Sequence, residues 1–126
     1  MVCIDSDIII DFLNNKKGVV EKIIQLEENG ELTTTSINVF EILKGFSKFN
    51  EEEKGYEFLK NLKILDFNYS SSEKAAEIFK ELKSRGELID QLDLFIAAIS
   101  ISNKQSLFTR NLSHFKRISG LVIEEM

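Results

Sequence analysis

The 126-residue sequence predicts an α/β fold in which a central, mainly parallel sheet is covered by helices on both faces. Three observations lead there. Short apolar runs of strand length alternate with longer stretches whose apolar residues recur at helical spacing. Helical connections between successive strands imply right-handed crossovers and hence parallel neighbours. No Pro-rich or Ser/Gly-rich linker and no internal repeat divides the chain, so residues 1–126 are expected to form a single domain, long enough to bury a core without disulfides or metals to hold it.

The elements follow in order. Val2-Cys3-Ile4 reads as a buried strand ended by Asp5-Ser6-Asp7, and Ile8 to Leu13 as a first short helix. Val19, Val20, Ile23, Ile24 and Glu27 keep helical spacing up to Asn29-Gly30, a stop that a left-handed glycine would supply. A strand from Leu32 to about Thr34 follows. Val39, Ile42, Leu43 and Phe46 fall at i, i+3, i+4 and i+7, the stripe of one helix face. Asn50 is a plausible cap for the next helix, which carries Glu53, Tyr56, Leu59 and Leu62. Lys63 to Phe67 looks like a strand. Ser70 with Glu73 matches a capping box, opening a helix striped by Ala75, Phe79 and Leu82 and closed by Arg85-Gly86. Asp93 to Ser102 reads as a helix because of its length and Ala97-Ala98, with Asp93 at its N-terminal end. Ser106-Leu107-Phe108 and Leu121-Val122-Ile123 complete the strands.

Composition narrows the function. Apolar residues make up 43% and charged residues 29%, ordinary proportions for a folded globular chain. The lone Cys3 excludes an intrachain disulfide and favours a reducing, cytoplasmic setting. No apolar run approaches the ~20 residues of a membrane-spanning helix, and Asp5, Asp7 and Asp11 occupy the place where a secretory signal would be basic and then apolar. A net charge of −5 has the wrong sign for bulk attraction to nucleic acid, so any such role must be local. Leu94 to Ile118 contains no acid but holds Lys104, Arg110, Lys116 and Arg117, which makes it the candidate phosphate-facing segment.

Three acids stand beside apolar elements: Asp5 after the first strand, Glu41 within the third helix, Asp93 before the sixth. In parallel sheets ligands bind beyond the carboxyl ends of the strands, which is where Asp5 lies. Carboxylates gathered in a cleft repel one another unless they are protonated or neutralised, and hard oxygen donors suit Mg²⁺ or Mn²⁺. Such an ion can activate water and stabilise charge on a phosphodiester under attack. A Ser or Cys nucleophile is poorly supported: His114 is the sole histidine, Cys3 lies in a core strand, and no P-loop or dinucleotide glycine pattern is present.

Each of these residues also has a purely structural reading. Asp5-Ser6-Asp7 could cap the first helix, Asn38 and Glu41 could form a capping-box-like pair, and Asp93 could be a helix N-terminal acid. Asn111 could cap the turn before His114-Phe115, His114 could be structural, and Cys3 core filling. Asp7 and Asp90 stay open between site and surface.

Taken together, Ile4-Asp5-Ser6-Asp7-Ile8-Ile9-Ile10-Asp11, Glu41-Ile42-Leu43-Lys44-Gly45, Asp93-Leu94-Phe95-Ile96-Ala97-Ala98 and Thr109-Arg110-Asn111 with His114-Phe115 resemble the PIN-domain ribonucleases, particularly VapC toxins of toxin–antitoxin systems. The resemblance covers nearly the whole chain, four motifs in order. It implies a Rossmann-like three-layer α/β/α PIN fold, Mg²⁺ or Mn²⁺ dependence, RNA cleavage, homodimerisation and a VapB-type antitoxin partner. It makes Asp5 and Asp93 direct metal ligands, lets Glu41 bind a metal or orient the attacking water, and puts Asn111 where a fourth acid often stands. Thr109 and Arg110 would shape the site or approach the phosphate. Two positions depart from the pattern: Asp7 replaces a usual Asn, and Asp90 a frequent Gly.

Other functions compete. Cys3-Ile4-Asp5-Ser6-Asp7 could end a strand in the Asp-x-Asp of a haloacid-dehalogenase-like phosphatase, with Asp5 as nucleophile and Asp7 as acid/base, although no phosphate-binding Lys element is apparent. A catalytically inactive PIN domain that binds RNA or protein is a second alternative. A receiver domain fits less well, since its phosphoacceptor and partner Lys cannot be placed on strand ends.

Overall fold

The computed structural model describes residues 1–46 and 49–126, with the side chains of residues 49–51 left out of the description. Five strands, β1 (Val2–Ile4), β2 (Leu32–Thr35), β3 (Lys63–Leu65), β4 (Ser106–Phe108) and β5 (Ile123–Glu124), form one sheet in the order β3-β2-β1-β4-β5. Every neighbouring pair is parallel, with Cys3 opposite Thr33 on one side and Leu107 on the other. Among the described residues seven helices accompany them: α1 (Ser6–Leu13), α2 (Lys17–Asn29), α3 (Ser36–Gly45), α4 (Phe49–Lys60), α5 (Tyr69–Ser84), α6 (Gln91–Ser102) and α7 (Leu112–Phe115).

The period-2 alternation of the strands creates two cores. Cys3 and Leu107 face a core built with α5, α6 and Phe115, whereas Ile4 and Phe108 face a core built with α1 to α4. The sheet is thus the middle of three layers, and the chain changes face after β3. β2 and β3 lie to one side of β1, β4 and β5 to the other, so the order reverses between β1 and β4. That reversal opens a crevice at the carboxyl ends of these two strands, the general ligand position of doubly wound sheets. Asp5 follows β1 there and Thr109 follows β4.

Several local expectations are corrected. The capping box of α5 is Asn68 with Ser71, not Ser70 with Glu73, because the helix starts at Tyr69 and puts Ser70 in its first turn. At the other end Gly86 takes φ +66°, with Glu87 N–H on the Leu82 carbonyl and Gly86 N–H on that of Lys83, so Arg85-Gly86 does close the helix. Gly30 ends α2 in extended rather than left-handed backbone. Ile24, Tyr56 and Phe79 lie roughly half exposed; Leu26 and Ile78 take the inward positions in α2 and α5, because the buried arc is narrower than the apolar stripe. β3 stops at Leu65, and Phe67 stacks on Phe95 at 4.4 Å instead. β5 begins only at Ile123, where it pairs with Leu107. The proposed Asn50 cap lies outside the described side chains.

Candidate active site

Asp5 sits where strand turns into helix. Its N–H continues the β1–β4 ladder onto the Phe108 carbonyl (2.9 Å), and its carboxylate caps α1 by accepting from Ser6 N–H (2.8 Å). Capping and site geometry are one arrangement here, since two further donors reach the same carboxylate: Asn38 Nδ2 to Oδ1 (2.9 Å) and Thr109 Oγ1 to Oδ2 (2.7 Å). Three of its lone-pair positions are occupied, leaving one on Oδ2.

Asn38 explains how Glu41 is placed. Thr35, the last residue of β2, caps α3, and Asn38 reciprocates: Asn38 N–H donates to Thr35 Oγ1 (3.1 Å), while Asn38 Oδ1 accepts from Thr35 Oγ1 (2.7 Å) and Thr35 N–H (3.3 Å). The capping pair is therefore Thr35 with Asn38, not Asn38 with Glu41. With its oxygen used for the cap, the fully buried amide must aim its NH₂ at the site, onto Asp5 and onto Ser6 Oγ (2.8 Å). Ser6 Oγ passes its own hydrogen to Glu41 Oε1 (2.9 Å). A chain of neutral donors so links Asp5 to Glu41, whose Oε2 accepts no hydrogen bond among the described residues.

The opposite wall is organised differently. Asp90 caps α6 through Leu92 N–H (2.8 Å) and is exposed, and Asp93 lies in the first turn of the helix. Asp93 Oδ2 accepts from Asn111 Nδ2 (3.0 Å) and lies 2.8 Å from His114 Nδ1, the tautomer that donates to the carboxylate. Asn111 occupies the cap position of α7 yet makes no side-chain cap; its amide is spent on Asp93. Thr109 joins the walls, since its hydroxyl donates to Asp5 and accepts from Asn111 N–H (3.0 Å).

Electrostatics records the crowding. The Asp5 carboxyl is pushed up to about 7, first by burial and then by the charge of Asp7, against the pull of Thr109 and Ser6, with Asp93 raising it further. Asp7 is raised by burial, with the Arg110 N–H and charge acting in the other direction. Glu41 is raised by burial, opposed by the Ser6 hydrogen bond, and raised again by Asp93. Asp5, Asp7, Asp93 and Glu41 thus share one field. Asp7 Oδ1 is buried with no hydrogen-bond partner among the described residues, although its Oδ2 accepts from Arg110 N–H (3.0 Å).

These features fit a hard divalent cation. The donors are all oxygens, and each wall keeps at least one carboxylate oxygen free. Among the described residues no three His, Cys, Asp or Glu side chains stand close enough to enclose an ion by themselves. A thiolate has no place in this chemistry, as burial pushes the Cys3 thiol up to about 12.

Arg110 directs its guanidinium at Asp11, Nε to Oδ2 at 2.7 Å and Nη2 to Oδ1 at 3.3 Å. The basic stretch 94–118 is not one phosphate-facing surface. Lys104 follows α6 at the opposite end of the sheet, beside Met1 and Ser106, and Arg117 donates to the carbonyls of Glu87 and Leu88. Ser6, Asn38, Asp11 and His114 were not singled out as site residues by the sequence. Asn38 carried a signal, its i+3 spacing from Thr35, and His114 another, its i+3 spacing from Asn111.

Residues 2–121 match the family model described as PIN domain. The chain is 33% identical over 103 residues to ribonuclease VapC2 of Rickettsia felis, covering 79% of this chain and 77% of that protein. It is 25% identical over 126 residues to the tRNA(fMet)-specific endonuclease VapC of Shigella flexneri, covering 97% and 95%. Among solved structures, that of VapBC2 from Rickettsia felis bound to a promoter DNA fragment superimposes with a TM-score of 0.88 at 28% identity, covering 100% of this chain and 99% of the other.

Proposed function

This chain belongs to the PIN domain family, and on that premise we propose that it is an endoribonuclease, the toxin of a VapBC-type toxin–antitoxin pair, hydrolysing RNA phosphodiesters with Mg²⁺ or Mn²⁺. The observation that carries the reading is the crevice between β1 and β4, where buried Asp5 stands in the field of Asp93, whose charge adds to the burial that raises the Asp5 carboxyl. Asp5 and Asp93 would hold the cation; when bound, it supplies an activated water and offsets charge on the scissile phosphate. Glu41, its Oε1 fixed by Ser6 and its Oε2 without a hydrogen bond among the described residues, would orient the water and take its proton; its raised proton affinity suits that exchange. Thr109 fixes the Asp5 carboxylate; Asn111 and His114 fix that of Asp93. Arg110 keeps part of its guanidinium exposed, with donors beyond those used on Asp11 available to a backbone phosphate.

The partners we propose are a VapB-type antitoxin, a second copy of the chain and a structured RNA, with tRNA the first substrate to try because of the Shigella flexneri relative. A reducing cytoplasm fits the free, buried Cys3. Among the described residues no helix is long and apolar enough to cross a membrane. The phosphatase alternative asks Asp5 to be a free nucleophile, whereas three hydrogen bonds already hold its oxygens. The test uses antitoxin-free protein with tRNA and with unstructured RNA. Cleavage that stops with chelator and resumes with Mn²⁺ is expected. Intact RNA together with no heat of Mn²⁺ binding would overturn the reading, and an acyl-phosphate on Asp5 would replace it with the phosphatase.

A further inference from the structure

Asp11 is nearly as buried as the core, at 3% exposure, yet it lies in the last turn of α1, where the helix dipole disfavours a carboxylate. Burial and position both oppose it. What compensates is a pair of cations, Arg110 through the two-pronged contact and Lys16 at 3.2 Å on Oδ1. An ion pair whose carboxylate is buried and whose cations stay half exposed brings little net stability, so its use here is better sought in geometry. One turn earlier on the same face of α1, Asp7 accepts the backbone N–H of Arg110. The i, i+4 acids of α1 therefore grip one residue twice, by main chain and by side chain. On either side of that residue stand Thr109, which donates to Asp5, and Asn111, which donates to Asp93.

We propose that Asp11 is a positioning residue: through Arg110 it clamps the Thr109–Asn111 turn to α1 and so holds the donors that orient Asp5 and Asp93. The proposal rests on the nuclease reading for its effect on rate, but not for the clamp itself. Arg110 thus serves first to anchor its own loop, and its contact with RNA is secondary.

Two measurements on the full chain test it. In Asp11→Asn, amide exchange at Arg110 and Asn111 is expected to speed up while the β1 and β4 amides keep their protection. In RNA cleavage the same variant should lose kcat by about ten- to a hundred-fold with KM unchanged, as expected of a displaced rather than a missing group. Arg110→Lys keeps the charge but lacks the fork and should reproduce both effects; it leaves Asp11 partnered by Lys16, so it serves where Asp11→Asn fails to fold. The double variant should be no slower than the slower single one. Wild-type kcat in both single variants, a raised KM with kcat intact, multiplicative losses in the double variant, or exchange that rises uniformly across the sheet would each overturn the proposal. If wild-type protein cuts no RNA, the nuclease reading fails, and local exchange at Arg110 and Asn111 still decides whether the clamp exists.

Discussion

The two walls of the crevice hold their acids in contrasting ways. Asp5 and Glu41 are fixed from inside the fold, by Asn38 and Ser6, whose hydrogen bonds also cap α1 and α3. Asp93 is fixed from a loop, by Asn111 and by His114, whose side chain is one-third exposed. On the first wall, orienting the acid and starting the helix use the same atoms, so activity and stability are coupled. On the second, they are separable. The Thr109 hydroxyl ties the walls together.

The largest effect comes from removing a charge on either wall. Asp5→Asn and Asp93→Asn should each reduce RNA cleavage by more than the roughly 100-fold expected of a supporting residue, with the far-ultraviolet dichroism unchanged; substantial activity in either variant would break the site as drawn. Asn38→Ala separates the walls next. It leaves the Asp5 carboxylate, Ser6 and the Thr35 cap short of partners, and should cost about 2–4 kcal/mol in urea unfolding as well as most of the activity. His114→Ala should lower cleavage by about tenfold while the urea midpoint barely moves, and equal destabilisation by both variants would erase the contrast.

Asp5 also gives the first wall a pH signature. Its carboxyl titrates near 7 in the folded chain against 3.8 as the ordinary value, so between these limits the folded state holds a proton that the unfolded state has released. Stability of the metal-free protein must therefore fall as pH rises through that window, by up to about 1.4 kcal/mol per unit from this group. Comparing Asp5→Asn with wild type from pH 5 to 8 isolates it, as the variant should lack the slope. The smallest effect belongs to the far end of the sheet: Lys104→Glu should leave cleavage unchanged, and a clear loss would return that lysine to the RNA-binding surface.

The fold was legible from residues because its signals are local. Strand-length runs at Val2, Leu32 and Ser106, separated by helical stripes, allowed few arrangements other than a parallel sheet with covered faces. Helix ends were less legible: Asn68 and Thr35 outcompeted Ser70 and Asn38 as caps, because backbone entry angles decide which side chain reaches the first free N–H groups. In the proposed site, Asp5, Glu41 and Asp93 are named from ordered motifs. Their supporting residues are not, since Asn38 and His114 are ordinary residues until folding brings them to a carboxylate.

By itself the sequence determined the element types, the alternation that separates two cores, and the acids available for chemistry, all of which depend on spacing along a few turns of chain. Only the tertiary structure decided the division of labour: Asn38 serving both a cap and Asp5, Arg110 turned to Asp11, and His114 on Asp93 are contacts across 33, 99 and 21 positions. A hydrogen bond is directional and short, so which donor meets which carboxylate is settled when the layers pack.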